Sequence, residues 1–248
     1  MIINKIEDID LENGSVLLVD KPLRWTSFDV VNKLKYEIRQ KSGCKKFKIG
    51  HAGTLDPLAS GLLVVCVGKC TKWIEKIQAQ PKQYTGTFTV GATTASFDLE
   101  HSPENFQTFE HISDQEIAAV ANQLTGAIEQ YPPVFSAVRV AGKRAYNYAR
   151  TEQEVALKPK QITVHSFTVT AINLPEIAFD ISCSKGTYIR AIARDMGELL
   201  GCGAYLSSLR RERVGEFSVE NALDFTPFIG TRDETKFIER RKRRFEVG

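Results

Sequence analysis

Residues 62–67 read LLVVCV, an unbroken apolar run between Gly61 and Gly68. A run this short, rich in valine and bounded by glycine, fits a strand buried in the core. It anchors the residues in front of it to that core. Those residues, GHAGTLDPLAS at 50–60, place glycines around His51 and set one carboxylate, Asp56, directly before Pro57.

Around this strand the chain mixes helix and strand signals without a β-α-β rhythm. Further strands are expected at 16–19, 83–90, 134–140, 162–172, 177–183 and 215–219. Helices are expected at 27–40 with Ser27 as N-cap, at 71–77, at 113–124, at 144–152 and at 188–200. Ser113 and Glu116 form a capping-box pattern, and Gly201 closes the last helix. Residues 98–112 read as irregular and 205–210 as a turn. The mixture predicts an α+β fold with a large, mostly antiparallel sheet.

The 248 residues suffice for a substantial core. No apolar run approaches the ~18 residues of a membrane helix, and the acidic start MIINKIEDIDLENGS does not read as a secretory signal. The five cysteines are odd in number and contain no C-x-x-C pair, which fits reduced thiols in a cytoplasmic protein. The four histidines are scattered, so no metal site is expected.

Net charge is only +3, but it is unevenly placed. From Gln83 to Val138 there are seven acids and no Lys or Arg. All 33 basic residues lie elsewhere, against 23 acids, in clusters near 33–48, 139–150, 185–213 and 232–244. This asymmetry fits a basic face for a polyanion, and it also fits a solvated surface with ordinary ion pairs.

Three readings of 50–69 compete. A phosphate-binding loop fails, because the spacing is wrong, Cys70 stands where Ser or Thr is needed, and LLVVCV is too apolar for a phosphate cradle. Asp56-Pro57 can be a simple turn. That is the commoner role of a lone Asp-Pro pair, but it can also be a catalytic carboxylate: Pro57 biases Asp56 toward an extended backbone, and the buried strand holds the loop. On the residues alone both of the latter stay open.

The stretch GHAGTLDPLASGLLVV resembles the signature of the TruB-type tRNA pseudouridine synthases. Asp20-Lys21-Pro22 with Thr26-Ser27, Lys82-Gln83-Tyr84, PPVFSAVRVAGKRAYNYAR at 132–150, CSKGTYIRAIARDMGELLG at 183–201 and AYLSSLRRERVGEF at 204–217 resemble the family's other motifs, in order. The resemblance implies the pseudouridine synthase catalytic fold over 1–230, with an RNA-binding insertion near 98–155 and a basic tail at 231–248. It implies isomerisation of uridine-55 in the T loop of tRNA, with no cofactor and no metal. Asp56 would be the catalytic carboxylate, acting on the sugar or on the base. Tyr84 would stack on the uracil and Arg190 would pair with Asp56. Tyr188 and Leu209 would wall the pocket, His51 would contact RNA beside the flipped nucleotide, and Lys21 would support the active-site end of the fold.

A uridine stacked in a folded loop must be flipped out, at a cost of a few kcal/mol that phosphate contacts and stacking can offset. The basic clusters would supply those contacts, and residues 130–155 would form a flap over the RNA. A monomer is expected, since RNA accounts for the basic surface. Three positions depart from the family pattern: Arg24 stands for Gly, Ala95 for Asp and Arg139 for Lys. A tRNA-binding or RNA-folding protein without catalysis would need the basic face and Tyr84 but not Asp56. A glycosidase would need a second acid beside Asp56, and Asp20 is the only early candidate.

Overall fold

The computed structural model describes residues 2–135, 139–140, 143–144 and 157–228. In chain order the strands are β1 (Ile2–Ile3), β2 (Ser15–Lys21), β3 (Ile49–His51), β4 (Ala59–Val67), β5 (Lys82–Val90), β6 (Gly126–Gln130), β7 (Arg139–Val140), β8 (Lys143–Arg144), β9 (Lys160–Asn173), β10 (Glu176–Cys183), β11 (Ala204–Val214), β12 (Phe217–Ser218) and β13 (Leu223–Asp224). The described α-helices are α1 (Ser27–Ser42), α2 (Ile74–Gln78), α3 (Asp114–Gln123) and α4 (Ile189–Leu200). The chain divides into two compact units: residues up to Lys82 together with those from Arg210 on, and Gln83–Leu209.

In the first unit β2 pairs antiparallel with β4, from Ser15↔Val67 to Lys21↔Gly61. β1 and β13 lie parallel to β2, while β3 is antiparallel to β4 and β12 to β11. The apolar run at 62–67 is the interior of β4, and every residue in it is fully buried. Both of its faces are covered. Leu63, Val65 and Val67 pack with Leu17, Val19 and the α1 residues Val30, Leu34 and Ile38. Leu62, Val64 and Cys66 pack on the opposite side with Val16, Leu18, Cys70 and Ile77. Two-sided cover is why the strand is apolar throughout instead of alternating. Each such side chain contributes ~1.5–3 kcal/mol on burial.

α1 begins one residue earlier than its sequence suggests. Thr26 is the N-cap: its hydroxyl accepts the Asp29 N–H, and Asp29 returns a bond to the Thr26 N–H. Ser27 is the first helical residue, and its hydroxyl is engaged with Leu55 instead. Gly43, left-handed at φ 68°, ends the helix. The helix expected at 71–77 is a 3-10 turn over Gly68–Trp73 followed by α2.

In the second unit the strand order is β11-β5-β10-β9-β6. β9 is antiparallel to both β10 and β6. Phe88 stacks on Phe179 with ring centroids 4.2 Å apart, and Phe167 meets both rings edge-on. The capping box of α3 forms as expected, with Ser113 and Glu116 exchanging bonds. Gly197 of α4 packs against the chain at Ala204, whose nitrogen would lie 2.1 Å from an added Cβ, so only glycine fits there. The turn expected at 205–210 is instead part of the eleven-residue strand β11, and the strand expected at 215–219 is reduced to β12. Two polar residues of β11 find partners on β5: Ser207 and Ser208 donate to Thr87, at 3.1 and 3.0 Å. Of the strand expected at 134–140, Arg139–Val140 is present and pairs with β8. The helix expected at 144–152 and the tail at 231–248 lie outside the described residues.

All five cysteines are free thiols, and only Cys44 is not buried. Burial pushes the Cys66 thiol up to about 11, and the neighbouring Cys70 adds to the effect. No described helix is long and apolar enough to cross a membrane.

Arg24 sits in the left-handed region at φ 70° while its N–H donates to the Pro57 carbonyl at 2.7 Å. This conformation costs an L-residue ~1–2 kcal/mol and explains why glycine suits the position. Arg24→Gly keeps the bond and removes the strain. It should stabilise the protein by about 1 kcal/mol and raise Tm by roughly 2–4 °C. A lowered melting temperature in a thermal scan would count against strain at Arg24.

Candidate active site

Asp56 lies in the turn that links β3 to β4, and the backbone on each side of it is tied down. Ser27 does most of this. Its hydroxyl donates to the Leu55 carbonyl at 3.1 Å and accepts the Leu55 N–H at 2.9 Å. One buried oxygen thus satisfies both backbone groups of the residue before Asp56. Behind it, the Ala52 N–H donates to Val64 at 2.8 Å. Ahead of it, the Asp56 carbonyl accepts the Ala59 N–H at 3.1 Å, and Pro57 receives the Arg24 bond. Leu55 is buried, whereas Asp56 is half-buried. A carboxylate is therefore presented from a loop whose backbone has little freedom.

Two cations lie beneath this loop. Lys21 is fully buried, and its ammonium donates to the carbonyls of Trp25 at 2.6 Å and Pro22 at 3.0 Å. Burial pushes it down to about 7; the Asp56 charge favours its protonated form, and the Arg211 charge opposes it. Arg211 is 1% exposed and donates from Nε to Leu62 O at 2.7 Å and from Nη2 to Gly53 O at 3.1 Å. His51 ends β3. Its Nδ1 is buried with no hydrogen-bond partner among the described residues. Burial, and then the Arg211 charge, hold it below the ordinary imidazole range.

The first unit thus brings together Lys21, His51 and Asp56. Tyr84, Tyr188, Arg190 and Leu209 belong to the second. Tyr84 is buried on β5 and Leu209 is half-buried on β11. Tyr188 precedes α4 and is fixed through its backbone: its N–H donates to Gln130 Oε1 at 2.8 Å, and Gln130 Nε2 donates to its carbonyl at 3.2 Å. Arg190, in the first turn of α4, is a poor match to the helix dipole. It is buried and donates to the carbonyls of Ser96 at 3.1 Å and Phe135 at 3.0 Å. Its Nε faces Asp98 Oδ2 at 3.5 Å, and Asp98 also accepts from Ser96 Oγ at 2.6 Å and from the Glu100 N–H at 2.9 Å.

Sequence reasoning missed Ser27 as a clamp, and it missed Asp98, Gln130 and Arg211. Gln130 and Asp98 are short-loop and strand-end residues with no local signal. Arg211 sits among charged neighbours and reads as surface. Ala95, a departure from the family pattern, is exposed in the turn before Asp98. The expected flap falls largely outside the described residues. Among the described residues no group of three or more His, Cys, Asp or Glu is placed to hold a metal.

Lys21 makes stability depend on pH. Between about 7 and its unfolded value near 10.4, the unfolded chain holds a proton at this position that the folded chain has released. The folded state therefore gains stability as pH rises through that window. Lys21→Met should lose this gain, on the order of a few kcal/mol between pH 7 and 10. Urea unfolding of both proteins at the two pH values checks it; equal differences would show that Lys21 does not titrate in that window.

Residues 39–189 match the model of the TruB family pseudouridylate synthase N-terminal domain, and 190–228 match that of the tRNA pseudouridylate synthase B C-terminal domain. A relative named tRNA pseudouridine synthase B from Flavobacterium johnsoniae is 51% identical, over 87% of this chain and 94% of its own. Its namesake from Phocaeicola vulgatus is 48% identical, over 93% and 98%. Among solved structures, a chain in a Cbf5-Nop10-Gar1 complex matches with TM-score 0.61 and 28% identity, over 87% of this chain. This chain spans about half (52%) of that one. The α+β architecture agrees with these matches, and the chain belongs to the TruB family of pseudouridylate synthases.

Proposed function

We propose that this chain converts uridine-55 in the T loop of tRNA to pseudouridine, as a monomer in the cytoplasm and without cofactor or metal. The observation that carries the reading is Asp56, held in the family's GTLDP sequence by the Ser27 clamp. Near full-length relatives named tRNA pseudouridine synthase B support tRNA as the substrate. The unequal charge distribution supports a polyanionic partner. Four buried free thiols support a reducing compartment.

The reaction is an isomerisation with no net loss of atoms. The N1–C1′ bond breaks, the uracil turns, C5 bonds to C1′, the C5 proton leaves and N1 gains one. The nucleotide must leave the loop stack before this chemistry begins. Asp56 is the carboxylate that acts on sugar C1′ or on the base. Tyr84 stacks on the uracil, Tyr188 and Leu209 wall the pocket, Arg190 is the cation of the site, and His51 contacts the RNA beside it. Lys21 supports the turn at 22–25 from below.

Tritium release from tRNA labelled at uracil C5 tests the reading. Wild type should release label from uridine-55, and Asp56→Asn should slow release by roughly 10³-fold or more while still binding tRNA. Equal release would reduce Asp56 to a turn residue. Binding without release from either protein would favour a tRNA-folding role.

Ser27→Ala tests the clamp separately. Both bonds to Leu55 are lost, so stability should fall by about 1–2 kcal/mol in urea unfolding. The rate at saturating tRNA should fall by up to ~10²-fold, because the carboxylate is no longer held in place. A full rate in a destabilised variant would separate the clamp from catalysis.

A further inference from the structure

We infer that Arg211 is a positioning residue for Asp56: its guanidinium staples together the two stems of the loop that carries the carboxylate. The inference rests on the reading of Asp56 as the catalytic group.

The loop leaves β3 after His51 and enters β4 at Ala59; Gly53 lies just beyond the first end and Leu62 just inside the second. Arg211 donates to the carbonyl oxygens of Gly53 and Leu62, at 3.1 and 2.7 Å. Leu62 is part of the rigid core, in register with Asp20 of β2. Gly53 is part of the loop and has no sheet partner. One planar fork therefore ties the loop stem at Gly53 to the core strand at Leu62, with Asp56 between them. Such bonds from a charged donor are stronger than those between neutral groups, and the fork fixes direction as well as distance.

The surrounding backbone is shaped for this contact. Lys21 and Gly61 are opposite each other in the β2–β4 register. Gly61 in turn touches the backbone of residue 211, since an added Cβ would lie 2.4 Å from Arg211 O and 2.7 Å from its nitrogen. Lys21, Gly61 and Arg211 thus form one row across three strands. The missing side chain at Gly61 is what lets the Arg211 backbone approach this closely. At Gly53, φ is +110° and an added Cβ would come within 3.6 Å of Arg211 Nη1.

Packing does not explain an arginine here. Among the described residues no carboxylate lies within salt-bridge reach of Arg211, although it is 1% exposed. A buried guanidinium without an anion is costly, and an apolar side chain of similar volume is usually more stable in such a place. What an apolar residue cannot do is hold two carbonyl groups on opposite stems of one loop.

The test uses the full chain with Arg211→Lys and Arg211→Met. Arg211→Lys keeps the charge but reaches only one stem, and it carries the test if the Met variant does not fold. Three quantities are read: the single-turnover rate at saturating C5-tritiated tRNA, the tRNA Kd, and hydrogen exchange by peptide. In Arg211→Lys the rate should fall by ~10–100-fold with Kd within about threefold, and faster exchange should be confined to residues 52–62. A wild-type rate in Arg211→Lys overturns the inference. So does a raised Kd with the saturating rate intact, which would make Arg211 an RNA contact. Faster exchange spread equally over β2 and β4 overturns it too, as a sign of general destabilisation. If the wild-type protein releases no label, the proposed reaction fails, and the exchange pattern alone still decides whether Arg211 staples the loop.

Discussion

Burial of β4 on both faces is the constraint on which the first unit depends. A strand with no polar face needs two covers, and α1 and the turn that runs into α2 supply them. Once β4 is held this way, its N-terminal end is a fixed point. The Asp56 loop inherits its position from that point, through the Ala52–Val64 bond and the Leu62 carbonyl. The order of cause therefore runs from apolar content to strand, from strand to loop, and from loop to carboxylate.

The polar interactions around the loop follow a common pattern. Ser27, Lys21 and Arg211 are all buried, and all three spend their polar atoms on backbone groups. A buried polar side chain is tolerated when its bonds are made, and a turn has backbone groups that need partners. In the second unit Gln130 does the same for Tyr188, and Arg190 for Ser96 and Phe135. In each unit by itself, irregular backbone is held in shape largely by side chains borrowed from regular elements.

What could be read from the sequence divides along the same physical line. β4, β5, β9, β10, α3 and α4 were legible because their apolar spacing and caps are local signals. Asp56 stood out through its glycines, its proline and the family resemblance. α1 was displaced by one residue because Thr26 and Ser27 are both good caps, and only the distant Leu55 decides between them. β11 was misread as a turn because Ser207, Ser208, Arg210 and Arg211 look solvated. Their partners lie 120 residues or more away in sequence: Thr87 for the serines, Asp20 for Arg210 and Leu62 for Arg211. Pairings of that range leave no trace in a window of neighbours.

The distribution of the thiols carries a practical consequence. Four of the five are enclosed, and the burial that raises Cys66 also withholds its thiolate from electrophiles. Cys44, just past the glycine that ends α1, is the partly accessible one. A maleimide dye or spin label should therefore settle on that single position in the unaltered protein. The basic stretch after α1 could then be followed spectroscopically as RNA arrives, with no cysteine removed from the core.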